Sequence, residues 1–247
     1  MIIEENMKLR FGVDTGGTFT DLVIEGIDEH LRLYKQPTTP SDPIQGLLDV
    51  VGFAANELDM SVEQLLGQAE TLVHGTTRAT NAIVEHKTAR TGFITTRGHR
   101  DMLVVREGGG RSDYPMDYSQ EYPKPYIPRS LSYEVPERIF ADGRVIDVLD
   151  EATTLQVIEK LKEQKVEAVA VCLLWSMVNP AHEIIIGKLL DENLPGVPYT
   201  LSHQLNPTVR EYRRASSTAI DASLKPLMGE YIRNLEVRLQ EAGFAGR

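Results

Sequence analysis

Chemistry-bearing residues cluster most tightly in Phe11-Gly12-Val13-Asp14-Thr15-Gly16-Gly17-Thr18-Phe19-Thr20-Asp21 of this 247-residue sequence. An aspartate closes a β-rich run, and a turn of small residues follows. Glycine lacks Cβ and lets backbone approach a ligand closely. Successive free N–H groups, with hydroxyls from Thr15, Thr18 and Thr20, suit phosphate oxygens. Asp14 beside them suits Mg²⁺, held through water because Mg²⁺ dehydrates reluctantly. The plainer alternative is a hairpin turn whose glycines supply positive φ. The lysine of a P-loop and the strand-to-helix setting of a dinucleotide fingerprint are both missing.

A second segment, Val73-His74-Gly75-Thr76-Thr77-Arg78-Ala79-Thr80-Asn81-Ala82, reads as a strand ending at His74 and a helix opened by hydroxyls. A helix N-terminus at a strand's carboxyl end can hold a phosphate, a carboxylate or a lactam oxygen. Simple capping by Thr76 or Thr77 is the alternative. His74 is a candidate acid–base group or a structural histidine. A third segment, Ile94 to Asp101, repeats hydroxyls and charges at a strand end, and Arg97, Arg100 and Arg106 could meet an anion or surface carboxylates. No zinc-ligand spacing or Gly-x-Ser-x-Gly elbow occurs. Cys172 lies in the most apolar run and reads as core.

The elements that must position these residues follow from periodicity. Lys8–Val13, Phe19–Glu25 and Leu31–Lys35 read as strands of consecutive hairpins. Asp42-Pro43 opens a helix to about Leu58, and Ser61 to Gln64 forms a capping box. A strand at 71–74, a helix at 77–85, a strand at 90–95 and a short helix near 98–103 complete a β-β-β-α-β-α-β-α order. That order matches an α/β, ribonuclease-H-like mixed sheet with flanking helices over residues 7–104. A Tyr/Pro-rich loop is expected at 105–134. A second α/β segment at 135–247 opens with a hairpin whose Asp142-Gly143 turn is of the primed kind. Helices near 152–164 and 180–192 alternate with strands at 166–174 and 198–201. The last helical stretch, opened by Asn206-Pro207, is expected to break or kink at Pro226.

Composition narrows the function classes. With 41% apolar and 25% charged residues the chain can bury a real core. A net charge of −10 opposes a broad grip on nucleic acid or anionic lipid. One cysteine excludes an intrachain disulfide and fits a reducing compartment. The longest apolar run, Ala168 to Trp175, is too short for a membrane helix, and a cytoplasmic protein without membrane or nucleic-acid partners is expected.

Together, Gly12–Asp21, Val73–Ala82, Gly92-Phe-Ile-Thr-Thr-Arg-Gly98 and Arg210-Glu-Tyr-Arg-Arg-Ala-Ser-Ser-Thr218 resemble the hydantoinase/oxoprolinase family. Val135-Pro-Glu-Arg-Ile139, Gly143 and Leu149-Asp-Glu151 add to the likeness, which runs in order along nearly the whole chain. The resemblance implies an actin-like ATPase fold built of ribonuclease-H-like halves. It implies ATP and Mg²⁺ as cofactors, and ATP hydrolysis coupled to opening a cyclic amide through a phosphorylated intermediate. The substrate would be of the hydantoin or 5-oxoproline class. A ketone (acetone or acetophenone) carboxylase is the alternative, and a second subunit, B-type or alpha, is the implied partner.

On this reading Asp14 and His74 are catalytic, and Asp14 carries Mg²⁺. Asp14, Thr15, Gly16, Gly17, Thr18 and Thr20 hold phosphate, while Gly75, Thr76, Thr77 and Asn81 face the substrate. Three departures stand out. The sequence stops at Arg247, short of a second half, so an N-terminal portion with an incomplete ATP site is expected. Arg106–Tyr114 departs from the family's pattern. Asp221 stands where an asparagine is expected, and a carboxylate accepts but does not donate. A nucleotide-switched binding module is the non-enzymatic alternative. A nuclease would need clustered carboxylates, and only Asp14 and Asp21 offer themselves.

Overall fold

Strand β1 (Leu9–Thr15) alternates buried and open residues, so one face carries Leu9, Phe11, Val13 and Thr15 and the other carries Asp14. The computed structural model describes residues 9–27, 30–107 and 124–247. It divides into two units, one of Met1–Lys87 with Met228–Arg247 and one of Thr88–Leu227.

In the first unit β1 pairs antiparallel with β2 (Phe19–Glu25), which pairs antiparallel with β3 (Arg32–Pro37). Helix α1 (Pro43–Glu57) follows; Asp42 caps it by accepting from the Gln45 amide at 3.2 Å, and proline fits its first turn. The capping box of α2 (Val62–Gly67) forms as the sequence predicts, with Ser61 and Gln64 exchanging bonds of 2.9 and 3.1 Å. Strand β4 (Ala69–Thr76) returns parallel to β1, giving the order β3-β2-β1-β4, and α3 (Arg78–Val84) follows it. The core packs Phe11, Leu22, Leu47 and Val51 with Tyr231 and Leu235 from the last helix.

The second unit holds a parallel sheet, β10-β9-β5-β6, of β5 (Thr91–Thr96), β6 (Ser132–Val135), β9 (Ala168–Cys172) and β10 (Tyr199–Leu201). Strands β5 and β9 are buried along their whole length, as parallel strands covered on both faces are. Between these strands lie α4 (Met102–Val105), the hairpin β7 (Arg138–Ile139) and β8 (Val145–Asp147), α5 (Glu151–Glu163) and α6 (Ala181–Asn193). After β10 come the short α7 (Ser202–Leu205) and α8 (Glu211–Glu241). Gly92 lets α5 lie against β5, because a Cβ there would stand 2.4 Å from Leu161 Cδ2. Helix α8 lends Ala215, Ala219 and Ala222 to this core, while its later turns carry Tyr231, Leu235 and Leu239.

The architecture is the mixed α/β, actin-like ATPase type that the sequence predicts, with four differences. First, β5 leaves the sheet of β1 for that of β9, so the expected 7–104 domain gives way to a division after Lys87. Second, β6 begins at Ser132, inside the expected 105–134 loop, of which 108–123 lie outside the described residues. Third, the Asp142-Gly143 turn is not primed: only Gly143 has positive φ, +86°, and its amide donates to Phe140 O at 2.9 Å. That is a type I turn ended by a left-handed glycine, which also shortens the hairpin. Fourth, α8 begins at Glu211 and continues as one helix through Pro226. No helix among the described residues is long and apolar enough to cross a membrane.

Candidate functional site

The first unit brings its candidate residues to the carboxyl ends of β1 and β4. In the parallel register Asp14 lies beside Gly75, Val13 beside His74, and Thr15 beside Thr76. Neighbours in register share a face, so Asp14 and Gly75 take the open face and His74 and Thr76 the buried one. Gly75 leaves the carboxylate room, since a Cβ there would stand 3.4 Å from Asp14 Oδ1. Asp21 faces Asp14 directly across the β1–β2 ladder, on the same open face, and binds Lys35 Nζ at 2.8 Å. Asp14 is exposed, without a hydrogen-bond or ion-pair partner among the described residues.

The turn beyond Asp14 closes with the Gly16 amide donating to Phe19 O at 3.0 Å. Neither Gly16 nor Gly17 has positive φ, so backbone handedness does not explain the pair. A Cβ on Gly16 would press on Phe19 O at 3.2 Å, while Gly17 faces open space. Among the described residues the amides of Gly17 and Thr18 have no backbone acceptor. An exposed carboxylate beside two free amides fits a phosphate with its cation: the amides meet the anion and the carboxylate meets the metal's water shell. No group of three or more His, Cys, Asp or Glu among the described residues is placed to hold a metal directly.

Other candidates lie elsewhere. Thr20 is fully buried and its hydroxyl sits 2.8 Å from that of Thr38, which takes it out of the open cradle. Thr15 is buried too, and its Oγ1 has no partner. The strand does not end at His74 but runs on to Thr76, because the ladder with β1 continues. Thr76 Oγ1 then accepts from the Arg78 amide at 3.2 Å in a local turn and Thr77 Oγ1 accepts from Asn81 Nδ2 at 3.4 Å, while Thr77, the N-cap of α3, makes no side-chain capping bond. At the end of β5, the Gly98 and Arg100 amides both donate to Glu134 Oε1, at 2.9 and 3.2 Å. Asp221 accepts from Thr200 Oγ1 at 2.6 Å, so its acid serves a partner within the second unit.

His74 has an environment the sequence did not announce. Its Nε2 lies 2.7 Å from the Tyr231 hydroxyl, with the Arg78 guanidinium 5.3 Å from the Tyr231 ring centre. Burial lowers the His74 pKa below its ordinary value, and the Asp14 charge opposes this. Nδ1 of His74 and Nε of Arg78 are buried without partners, as is Thr15 Oγ1. Unpaired buried polar atoms are costly, so such a group around two strand ends is a mark of a site. Tyr231 arrives from α8, far along the sequence, and no local signal connects it with His74.

The model of the hydantoinase/oxoprolinase N-terminal region matches residues 10–194. The alpha subunit of a caprolactamase from Pseudomonas jessenii is 33% identical over 96% of this chain and 34% of its own length. The gamma subunit of an acetophenone carboxylase from Aromatoleum aromaticum is 32% identical over 95% of this chain and 33% of its own. The crystal structure of ATP-dependent caprolactamase from Pseudomonas jessenii superimposes with a TM-score of 0.85 at 33% identity, covering 95% of this chain and 34% of that one. The chain thus spans about a third of the length of these relatives. By its matched residues and its fold, the chain belongs to the hydantoinase/oxoprolinase family and carries that family's N-terminal region.

Proposed function

We propose that this chain supplies phosphate- and Mg²⁺-handling groups to an ATP-dependent enzyme that opens a cyclic amide of the hydantoin or 5-oxoproline class, working with a second subunit. The observation that carries the reading is the exposed Asp14 carboxylate beside the free Gly17 and Thr18 amides. ATP, when bound, would supply the phosphoryl group that activates the amide oxygen. Asp14 holds the metal's water shell, and the two amides and the Thr18 hydroxyl donate to phosphate oxygens. Catalysis of this kind rests on positioning and charge neutralisation. His74, turned to the buried face and bound to Tyr231, positions β4 rather than touching substrate. The P. jessenii relative, named an ATP-dependent caprolactamase, supports the hydrolytic reading.

A second reading, ATP-dependent carboxylation of a ketone, is favoured by the acetophenone carboxylase subunit, almost equally similar at 32%. The test is phosphate release from MgATP by the chain in its native assembly. Stimulation by a hydantoin, a lactam or 5-oxoproline is expected. Stimulation only by a ketone with bicarbonate would move the protein to the carboxylases. Full turnover by an Asp14→Ala variant would overturn the role of Asp14.

A further inference from the structure

We propose that the second unit holds a binding site for a small organic carboxylate, in the cleft at the carboxyl ends of its parallel strands. In open parallel sheets ligands bind at that edge. Here a cavity of about 540 Å³ opens between Gly98 after β5, Arg138 after β6, Trp175 after β9 and Arg210 before α8.

Its charge is the first argument. Arg106, Arg138 and Arg210 line the cavity, and among the described residues none of these guanidinium groups has a hydrogen bond or ion pair. Two of the three acids in the wall are already neutralised. Asp101 is held by Arg129 through two bonds, and Glu107 by Arg213 at 2.7 and 3.2 Å. Glu211 is the third. The cleft is therefore cationic in a chain whose net charge is −10. Guanidinium forks match carboxylates bidentately.

The rest of the wall separates an organic carboxylate from inorganic phosphate. Met102, Val105, Leu174 and Trp175 give apolar surface for a carbon skeleton. The backbone amides that could form a phosphate nest, those of Gly98 and Arg100, are spent on Glu134.

The cleft is also built from beneath. Six non-glycine residues among those described have positive φ, and three of them line this cavity: Arg106 (+59°), Trp175 (+57°) and Arg210 (+75°). L-residues adopt that conformation at a cost, and such residues gather at ligand sites. A buried network holds the walls. Arg214, fully buried, donates to Leu173 O at 2.7 Å and Thr208 O at 2.9 Å, fixing the chain on the approach to Trp175 and Arg210. Thr96 Oγ1 accepts from the Leu174 amide at 3.0 Å and donates to Glu137, next to Arg138. Ordinary core packing does not require strained backbone at three rims of one cavity.

Trp175 is the sequence's one tryptophan and lies in the wall, so its emission reads the site directly. The 247-residue chain is titrated with glutarate at fixed pH and ionic strength, without nucleotide. Binding is thus scored separately from the ATP reading. A saturable emission change is expected, absent with neutral glutaramide and weaker with inorganic phosphate. Arg138→Gln and Arg210→Gln should each weaken glutarate by about tenfold or more, as loss of a charged hydrogen bond does. Arg106→Gln, at an exposed side chain that folding does not need, should do the same. Arg144→Gln, whose partner is Asp142 outside the cleft, should change nothing. No saturable change, equal binding of glutaramide, or arginine variants that bind as the parent would overturn the site. Phosphate binding more tightly than glutarate, with the same arginine dependence, would overturn the carboxylate assignment.

Discussion

The two units treat the polar groups at their strand ends in opposite ways. In the first, Asp14 and the Gly17 and Thr18 amides are open, and Thr15 Oγ1, His74 Nδ1 and Arg78 Nε are buried without partners. In the second, nearly every buried group is met. Glu183 accepts from the Leu173 amide at 2.9 Å, Ser202 Oγ at 2.6 Å and the His203 amide at 3.0 Å, with His203 Nδ1 at 2.6 Å. Glu137 lies 2.7 Å from His182 Nδ1. The difference teaches that residue type does not separate a working group from a structural one. What separates them is unspent hydrogen-bonding capacity, because a saturated carboxylate or amide has nothing left for a ligand. In the second unit that capacity is reserved for the cleft arginines, above the saturated network.

The comparison can be broken at both ends. Arg214→Ala should have the largest effect on stability, about 3–5 kcal/mol, because it strands the buried Leu173 carbonyl and Ser202 hydroxyl, removes the bond to the Thr208 carbonyl and leaves a cavity; urea denaturation of the chain measures it. Asp14→Ala should lower ATP turnover of the native assembly by about 100-fold, the scale of losing one electrostatic catalytic contact, while the melting temperature stays near the parent's. Tyr231→Phe leaves His74 Nε2 without its partner and should cost about 1–2 kcal/mol in the same denaturation experiment. Lys35→Ala should cost no more than about 0.5 kcal/mol, since its bond to Asp21 is solvent-exposed.

Acid should sharpen the contrast by separating the units on the pH scale. His74 is lowered from 6.5 by burial, so the unfolded chain binds that proton more tightly. Stability it contributes is therefore lost as pH falls below about 6.5, levelling off below the folded value. For Glu183 burial raises the pKa, but hydrogen bonds from His203, Ser202 and two amides outweigh it and leave a net lowering from 4.5. Its contribution is present above 4.5 and is lost as pH falls through the lower folded value. Urea midpoints measured against pH should lose the upper step in His74→Gln and the lower one in Glu183→Gln.

Much of this was legible in the sequence where the signal is local. The hairpins, the Asp42 cap and the Ser61 capping box depend on residues within a few positions of one another, and they form as read. What escaped depends on partner choice over distance. Nothing in Thr91–Thr96 says that its neighbours are Ala168–Cys172 and Ser132–Val135 rather than β1. The extension of β4 through Gly75 and Thr76 is likewise set by the β1 ladder, against a local pattern that favours a helix start. The cradle was legible in part: Asp14, Gly17 and Thr18 stand in the open, while strand alternation turns Thr15 and Thr20 inward. The arginine cleft was missed except for Arg106, because its residues come from four separate strand or helix ends.

The discontinuity of the first unit governs the order in which the molecule can fold. Residues 88–227 form their unit from one unbroken stretch, whereas the first unit joins 1–87 to 228–247 across it. Its core needs Tyr231, Leu235 and Leu239, and β4 receives the Arg247 carbonyl on the Leu72 amide at 3.0 Å. On the ribosome the inserted unit can be complete while β1 to β4 still wait for those last turns. Finished first, the insertion brings its two ends together and removes much of the chain entropy that closing so long a loop would cost. The segment with Asp14 is thus synthesised before the inserted unit and consolidated after it, and in the interval the apolar face that Tyr231, Leu235 and Leu239 will cover stays open.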